Sequence, residues 1–357
     1  MKTLSQSLTD PQFSKPVTYS WFQRKALTLI RDERDLPFIS LALKCTFTLI
    51  PLAVLMYIVP VGNLYWWTAA VLYFIISNFM FKGPFGLMLH CTSHRVLFKK
   101  EYGFLNHYIP WVLAPFFGHS PETYYSHHIG MHHPENNLEE DESTTMPFRR
   151  DSIRGFIVYF SKFFFFTIVN LPAYFQRKKR KKFFYKYMRG ELLYYLFCIA
   201  LCFVNWQATL MVFIIPLLLF RLVAMLGNWA QHSFVDAHEP GNAYKNSITC
   251  INTGYNSKCW NDGYHISHHI RPSMHWTEHP SYFLKTINEY SKNDAIVFDG
   301  IHFLHVFAYL MLKRYDLLAK HFVNLDDRFS SDKEVIDFLR SRTRPIRQVH
   351  SPVLMAS

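Results

Sequence analysis

Apolar residues in this chain come in long blocks and lack the one-in-two alternation of a half-buried strand. Phe38–Val59 is interrupted only by Lys44, near enough to its start for the lysine to reach an interface. Leu64–Phe81 follows after the turn Pro60-Val61-Gly62-Asn63, so the two blocks predict a helical hairpin of membrane-spanning length. Glu191–Trp206 and Ala208–Leu226 predict a second hairpin around Asn205 to Gln207, with Arg221 about a turn from the end of its last helix. A further block, Ile153–Tyr174, carries Lys162 almost at its middle, which costs a spanning helix about 2.5–3.5 kcal/mol. We expect it to lie in the interface as an amphipathic helix. Ile301–Leu312 has only 12 residues, against roughly 20 for a span, and reads as an amphipathic helix packing under a cap or against the bilayer.

The crossing number decides which side each polar segment faces, and charge supports four crossings. Residues 1–37 hold six Lys/Arg and Arg177–Arg189 hold eight, while the two short hairpin turns hold none. Four crossings put every basic loop on one side, which the positive-inside rule makes cytoplasmic. The formal charge of +12 is then a topology signal, and it does not imply nucleic-acid binding. The run Arg177–Lys182 reads as headgroup contact, or as a patch for an acidic electron donor. The N-terminus lacks the layout of a cleaved signal peptide, so the first helix is expected to be retained. Six cysteines form no C-x-x-C pair, against both a thiolate zinc site and a dithiol redox pair. The expected fold is an all-α membrane protein of four transmembrane helices in two hairpins, with interfacial helices and a cytoplasmic His-rich cap. Residues 1–37 are its N-terminal segment, 38–280 its main domain and 281–357 a cytoplasmic C-terminal extension.

Nineteen histidines are the chemical content of that cap. His90 and His94 follow the second apolar block, and His128, His132 and His133 precede the interfacial segment. His232 follows the last block, and His265, His268 and His269 come after it. Residues four apart share a helix face, so His90/His94, His128/His132 and the set His265, His268 and His269 each suit a metal. His133 points about 100° away from His132, a splay suited to reaching two metal centres. The nine are too many for one ion and fit two with open positions. Imidazole alone leaves zinc, copper, iron and nickel open. His127 is taken as an orienting or exposed residue. His107, His119, His238, His275, His279, His302, His305, His321 and His350 are expected at the surface or in ordinary hydrogen bonds.

Three boxes, His90–His94, His128–His133 and His265–His269, stand in an order that resembles the integral-membrane fatty acid desaturase family and its hydroxylase relatives, from about Phe38 to Pro280. The resemblance implies two non-haem irons held by these histidines on the cytoplasmic side of four helices. It also implies an acyl chain in a tunnel between helices and cap, and His232 as the accessory ligand of an N-x-x-x-H box. Asn228 is then expected to contact a metal through water. Box two departs from many desaturases by having three residues between His128 and His132, a form that alkane hydroxylases share. No haem-site His-Pro-Gly-Gly precedes the first helix, which disfavours a desaturase with a fused b-type cytochrome.

The expected function is therefore O₂-dependent desaturation of a lipid acyl chain. A membrane di-iron hydroxylase acting on an alkane, terpenoid or sterol-like hydrocarbon is the alternative. A metal transporter is the second, disfavoured because transporters place their ligands within the membrane helices. No G-x-G-x-x-G loop occurs, so a separate ferredoxin or b-type cytochrome with its reductase is the expected electron donor. Glu122, Glu135, Asp236 and Asp262, and after them Asn136 and Asn137, are candidates to orient the imidazoles. Pro121–Tyr125 is a candidate wall of the cap.

Overall fold

The computed structural model describes residues 7–346, and these are mostly helical. A short α1 (Trp21–Leu29) leads into α2 (Leu36–Ile58), whose Pro37 sits in the first turn, where its missing N–H costs nothing. The expected second block becomes α3, a continuous stretch Leu64–His94 that runs well past Phe81 through a π-turn at Ile76–Phe81. That extension, Lys82–His94, carries box one on the same rigid element as the apolar block.

Interfacial candidate α4 spans Ile153–Arg177 and is followed after a tight turn by α5 (Lys181–Thr209). Asn205, at φ −159° and ψ 98°, breaks α5 where the second hairpin turn was expected. A π-turn at Leu210–Ile214 then leads into α6 (Ile215–Gln231). Among the described residues four helical stretches are long and apolar enough to cross a membrane: Glu33–Ile58, Leu64–His94, Ile153–Arg177 and Lys181–Gln231. Interfacial candidate α4 is thus as long and apolar as a span, although its Lys162 is exposed. Large apolar side chains stand outward on these stretches, with Phe47 74%, Leu64 77% and Phe203 88% exposed. A water-facing surface does not carry such a belt, and a lipid-facing one requires it.

α2 and α3 are tied to the segment that follows Asn205. Tyr57 and Thr209 hydroxyls lie 2.7 Å apart, and the Tyr73 hydroxyl donates to the Val212 carbonyl at 3.0 Å. Trp66 donates from its indole nitrogen to the Met56 carbonyl, fixing α3 against α2.

Beyond the helices the all-α expectation needs one correction. β1 (Ile248–Ile251) and β2 (Ile296–Asp299) form a parallel pair, Ile248 opposite Ile296. Four-residue apolar runs are too short for periodicity to separate strand from helix. β2 lies past residue 280, so part of the expected C-terminal extension pairs with a strand of the expected main domain. Downstream, α8 (Phe303–Met311) follows α7 (His265–Ile270) in order, and it buries Phe303, Val306 and Leu310 while exposing Leu304, as the amphipathic reading of Ile301–Leu312 requires. On charge alone the run Arg340–Arg347 reads as a solvated basic tail, and its described part departs from that at Arg342 and Thr343. Arg342 is 8% exposed and paired with Asp236 at 2.8 Å. The guanidinium of buried Arg150 donates to the carbonyls of Arg342 and Arg344, which anchors the segment. Arg347 and His350 lie outside the described residues.

Candidate metal centre

All nine box histidines converge, in two groups. His90, His94, His128, His133 and His268 form one, and His132, His232, His265 and His269 the other. In each group the ligand-capable atoms lie within 4.8 Å of one another. Contacts between Nε2 atoms measure 2.9–3.2 Å: His90–His268, His94–His128, His128–His133 and His133–His268 in the first, His232–His265 and His265–His269 in the second.

The local backbone explains the partition. His90 and His94 are four apart on α3 and stay together, as expected. Box two does not obey α-helical spacing, because His128–His132 is a π-turn. Its i→i+5 hydrogen bonding puts His128 and His133 on one face and sends His132 to the other group. The expected pairing of His128 with His132 is therefore corrected, while His132 and His133 fall in different groups, as the expected splay between them implies. On α7 the three histidines do not serve one group either. His265 and His269, four apart, join the second group, and His268 joins the first. Each adjacent pair, His132-His133 and His268-His269, is divided between groups, since neighbouring helical side chains diverge by about 100°.

Close packing feeds box two into this position. A Cβ on Gly130 would come within 2.7 Å of the Phe183 ring, and one on Gly190 within 1.7 Å of the Pro121 carbonyl oxygen. α5 thus lies directly on the loop before box two. The basic run joins the same contact: Arg180 donates to the Gly130 carbonyl at 2.6 Å, and Lys186 and Arg189 pair with Glu122 at 3.1 and 2.6 Å.

Imidazoles packed so closely must be neutral to coexist. Burial first, and then neighbouring rings, push His128, His265, His268 and His269 well below the usual histidine value, and His133 in the same direction. His232 is pushed down to about 4 by burial and His132. Neutral rings present lone pairs, which is the form a metal binds.

Orienting partners are mostly not those expected. Glu122 is committed to Lys186 and Arg189, Glu135 accepts from the Tyr174 hydroxyl, and Asp236 pairs with Arg342. Asp262 lies in the wall of a cavity beside the first group, where burial raises its carboxyl to about 7. Asn136 and Asn137 bond to loop partners, among them Gly241 and Asn246. Asn228 donates to the Ser143 carbonyl and the Tyr159 hydroxyl and belongs to neither group. The partner that sequence reasoning missed is Asp141, whose Oδ2 accepts from His132 Nδ1 at 2.7 Å. Burial acts to raise its carboxyl, but the His132 ring and donors from Ser143 outweigh that and hold it well below the usual range. His232 Nδ1 donates to the Asn246 carbonyl at 2.9 Å.

Of the remaining histidines, His107 and His238 are exposed as expected, while His275 and His279 are buried and hydrogen-bonded, to Asp35 and Ser267. His119 departs from expectation, being 3% exposed with Nε2 unpartnered among the described residues. His127 stacks parallel to His132 at 6.3 Å, and its Nε2 also has no partner among the described residues. The Tyr124 ring stacks on His128 at 5.3 Å, so of the expected wall Pro121–Tyr125 it is Tyr124 that borders the first group.

Residues 31–299 match a family model described as "Fatty acid desaturase". No curated protein and no solved structure matches the chain.

Proposed function

Because the chain belongs to the fatty acid desaturase family, we propose that it is a membrane-embedded, O₂-dependent desaturase that introduces a double bond into a lipid acyl chain. The single observation that carries the reading is the sorting of nine imidazoles into groups of five and four with their Nε2 atoms converging. That donor set fits the family's two irons. It is all imidazole, without thiolate, and in each group the ligand-capable atoms lie within 4.8 Å of one another, close enough to share an ion. His90, His94, His128, His133 and His268 would hold one iron and His132, His232, His265 and His269 the other. When bound, the irons supply the reduction of O₂ needed to remove hydrogens from an unactivated CH₂–CH₂ unit, which acid–base side chains cannot do.

The protein's own residues orient and exclude. Asp141 and the Asn246 carbonyl fix the tautomers of His132 and His232, leaving Nε2 free to face inward. Tyr124 over His128, and Trp260 and Trp276 beside the first group, restrict water near the reacting carbons. In balance, CH₂–CH₂, O₂, two electrons and two protons give CH=CH and two waters. The electrons come from a separate ferredoxin or b-type cytochrome with its reductase. Lys179, Lys181 and Lys182 are exposed in the basic run and suit such an acidic donor.

Convergence of the boxes also bears on topology. Boxes one and two precede α4, whereas His232 and box three follow α6. Their meeting requires an even number of crossings between them, which supports α4 in the interface and two hairpins in the bilayer. The basic run is hydrogen-bonded to box two, which favours a cytoplasmic cap, in a bacterial inner membrane or the endoplasmic reticulum.

A hydroxylase acting on an alkane, terpenoid or sterol-like hydrocarbon is the second reading, favoured by the three-residue spacing of box two. Mass spectrometry of lipids from cells expressing the chain separates the two. Products lighter by two hydrogens support desaturation, and products heavier by one oxygen overturn it.

A further inference from the structure

A cavity with about 30 Å³ of room adjoins the first histidine group, enough for a small polar group or a water or two. His90, His94 and His268 form part of its wall, together with Arg95, Asn261 and Trp276. The last three each carry a buried polar atom with no hydrogen-bond partner among the described residues: Arg95 Nε, Asn261 Oδ1 and Trp276 Nε1. Three unmet groups around one small space are unusual, because folded proteins pair nearly all buried polar atoms. The orientation of the Asn261 amide is not arbitrary. Its Nδ2 donates to the carbonyls of Pro11 and Trp276, so the unpartnered atom is the acceptor oxygen. Asn261 is itself only 2% exposed, and Arg95 is held from its other nitrogens by Asp32 and the Ser273 carbonyl.

We propose that this cavity takes the polar end of the substrate, and that this end is a hydroxyl or a secondary amide. Arg95 and Trp276 offer N–H donors, and Asn261 demands a donor in return. A thioester or ester carbonyl accepts hydrogen bonds and has none to give, so it leaves Asn261 unmet. A hydroxyl or an amide N–H with its C=O meets both kinds of group. Because the cavity wall includes three histidines of the first group, the oxidised carbon lies only a few bonds from that polar end. The inference rests on the desaturase reading for its reaction and on the cavity alone for its ligand.

Binding tests it independently of turnover. Purified full-length protein is titrated in detergent with three probes of equal chain length, an N-alkyl fatty amide, a long-chain alcohol and a fatty acid methyl ester. The amide and alcohol should bind about tenfold tighter than the ester, the order expected when a site built for a donor meets a ligand lacking one. Trp276→Phe keeps an aromatic ring and removes the donor, and should weaken amide and alcohol about threefold to tenfold. Arg95→Lys, which keeps the charge facing Asp32 but removes Nε, should do the same in a second variant. Retained metal content in each variant separates loss of the contact from loss of the fold. Equal binding of all three probes, or a preference untouched by both variants, overturns the proposal. In a reconstituted assay, oxidation of ester or thioester substrates without oxidation of amide or hydroxyl lipids sinks the cavity assignment alone. Selective binding of amide and alcohol with no oxidation of any lipid sinks the desaturase reading and leaves the cavity assignment standing.

Discussion

The two histidine groups differ in how they are supported. The four-membered group is backed by the protein: Asp141 holds His132, and the Asn246 carbonyl holds His232. The five-membered group has more donors, yet among the described residues none of its rings has a hydrogen bond at Nδ1. It instead borders a cavity whose wall residue Arg95 pairs with Asp32, in a cluster with Arg34 that is partly open to solvent. Outer hydrogen bonds orient a ligand and raise its basicity. The supported group should therefore hold its metal tightly, while the cavity-facing group meets substrate and exchanges metal more readily. The lesson is that ligand number and ligand support are separate variables, here distributed in opposite directions.

The sharpest way to break this comparison is to remove one donor from each group. His268→Ala should cost the first group its metal and His132→Ala the second, each lowering the content from about two irons per chain to about one. Activity should fall to background in both. Metal analysis on purified protein reads the result, and a variant that emptied both groups would show that the partition is wrong.

Part of this arrangement was legible in the sequence. All nine histidines of the two groups carry a box spacing or follow an apolar block. The positions of the long apolar helices follow from helix-length apolar blocks, a signal that needs no tertiary information. The allocation between groups was not legible, because it depends on a π-turn at His128–His132, and no residue pattern there distinguishes i→i+5 from i→i+4 hydrogen bonding. Asp141 was hidden for a similar reason. It lies nine residues beyond His132 in a polar loop, and only the fold of that loop, with Ser143 and the Asn137 N–H on the same carboxylate, returns it to the ring. Four expected carboxylates, Glu122, Glu135, Asp236 and Asp262, were closer to histidines in sequence or in loop type. Three of them are taken by cations or a tyrosine, and the fourth lines the cavity.

A smaller effect sharpens the difference in support. Asp141→Asn keeps the shape and removes the charge that fixes the His132 tautomer. Loss of such a partner weakens metal affinity about 10-fold to 100-fold, and only the second group should feel it. Competition with a chelator should then show one metal released early and the other unchanged. The same carboxylate makes the second group sensitive to acid. Its folded value lies below its unfolded value, so its contribution is present above the ordinary carboxylate range and lost as pH falls through and below it. Faster loss from the first group in Asp141→Asn would reverse the assignment of support.

The smallest expected effect concerns the ion pair beside the cavity. Asp32 accepts from Arg34 Nε at 2.9 Å and from Arg95 at 2.9 Å, and the Arg34 hydrogen bond, against some burial, holds its carboxyl at about 2. A depressed folded value means stability present above about pH 4 and lost as pH falls toward 2, so at neutral pH the clamp is intact. Its side chain is 18% exposed, and that of Arg95 37%, so the pair is screened by salt. Asp32→Asn should cost no more than about 1 kcal/mol in thermal unfolding of the detergent-solubilised protein. Salt of about 0.5 M should weaken the wild-type clamp by a similar amount, because the Debye length is then only about 4 Å. Salt should leave the buried Asp141–His132 pair untouched, since it lies out of reach of counterions. Chelator release at high salt should accordingly quicken for the cavity-facing metal alone. Equal quickening of both would mean that the two groups share one support, and the contrast between them would fail.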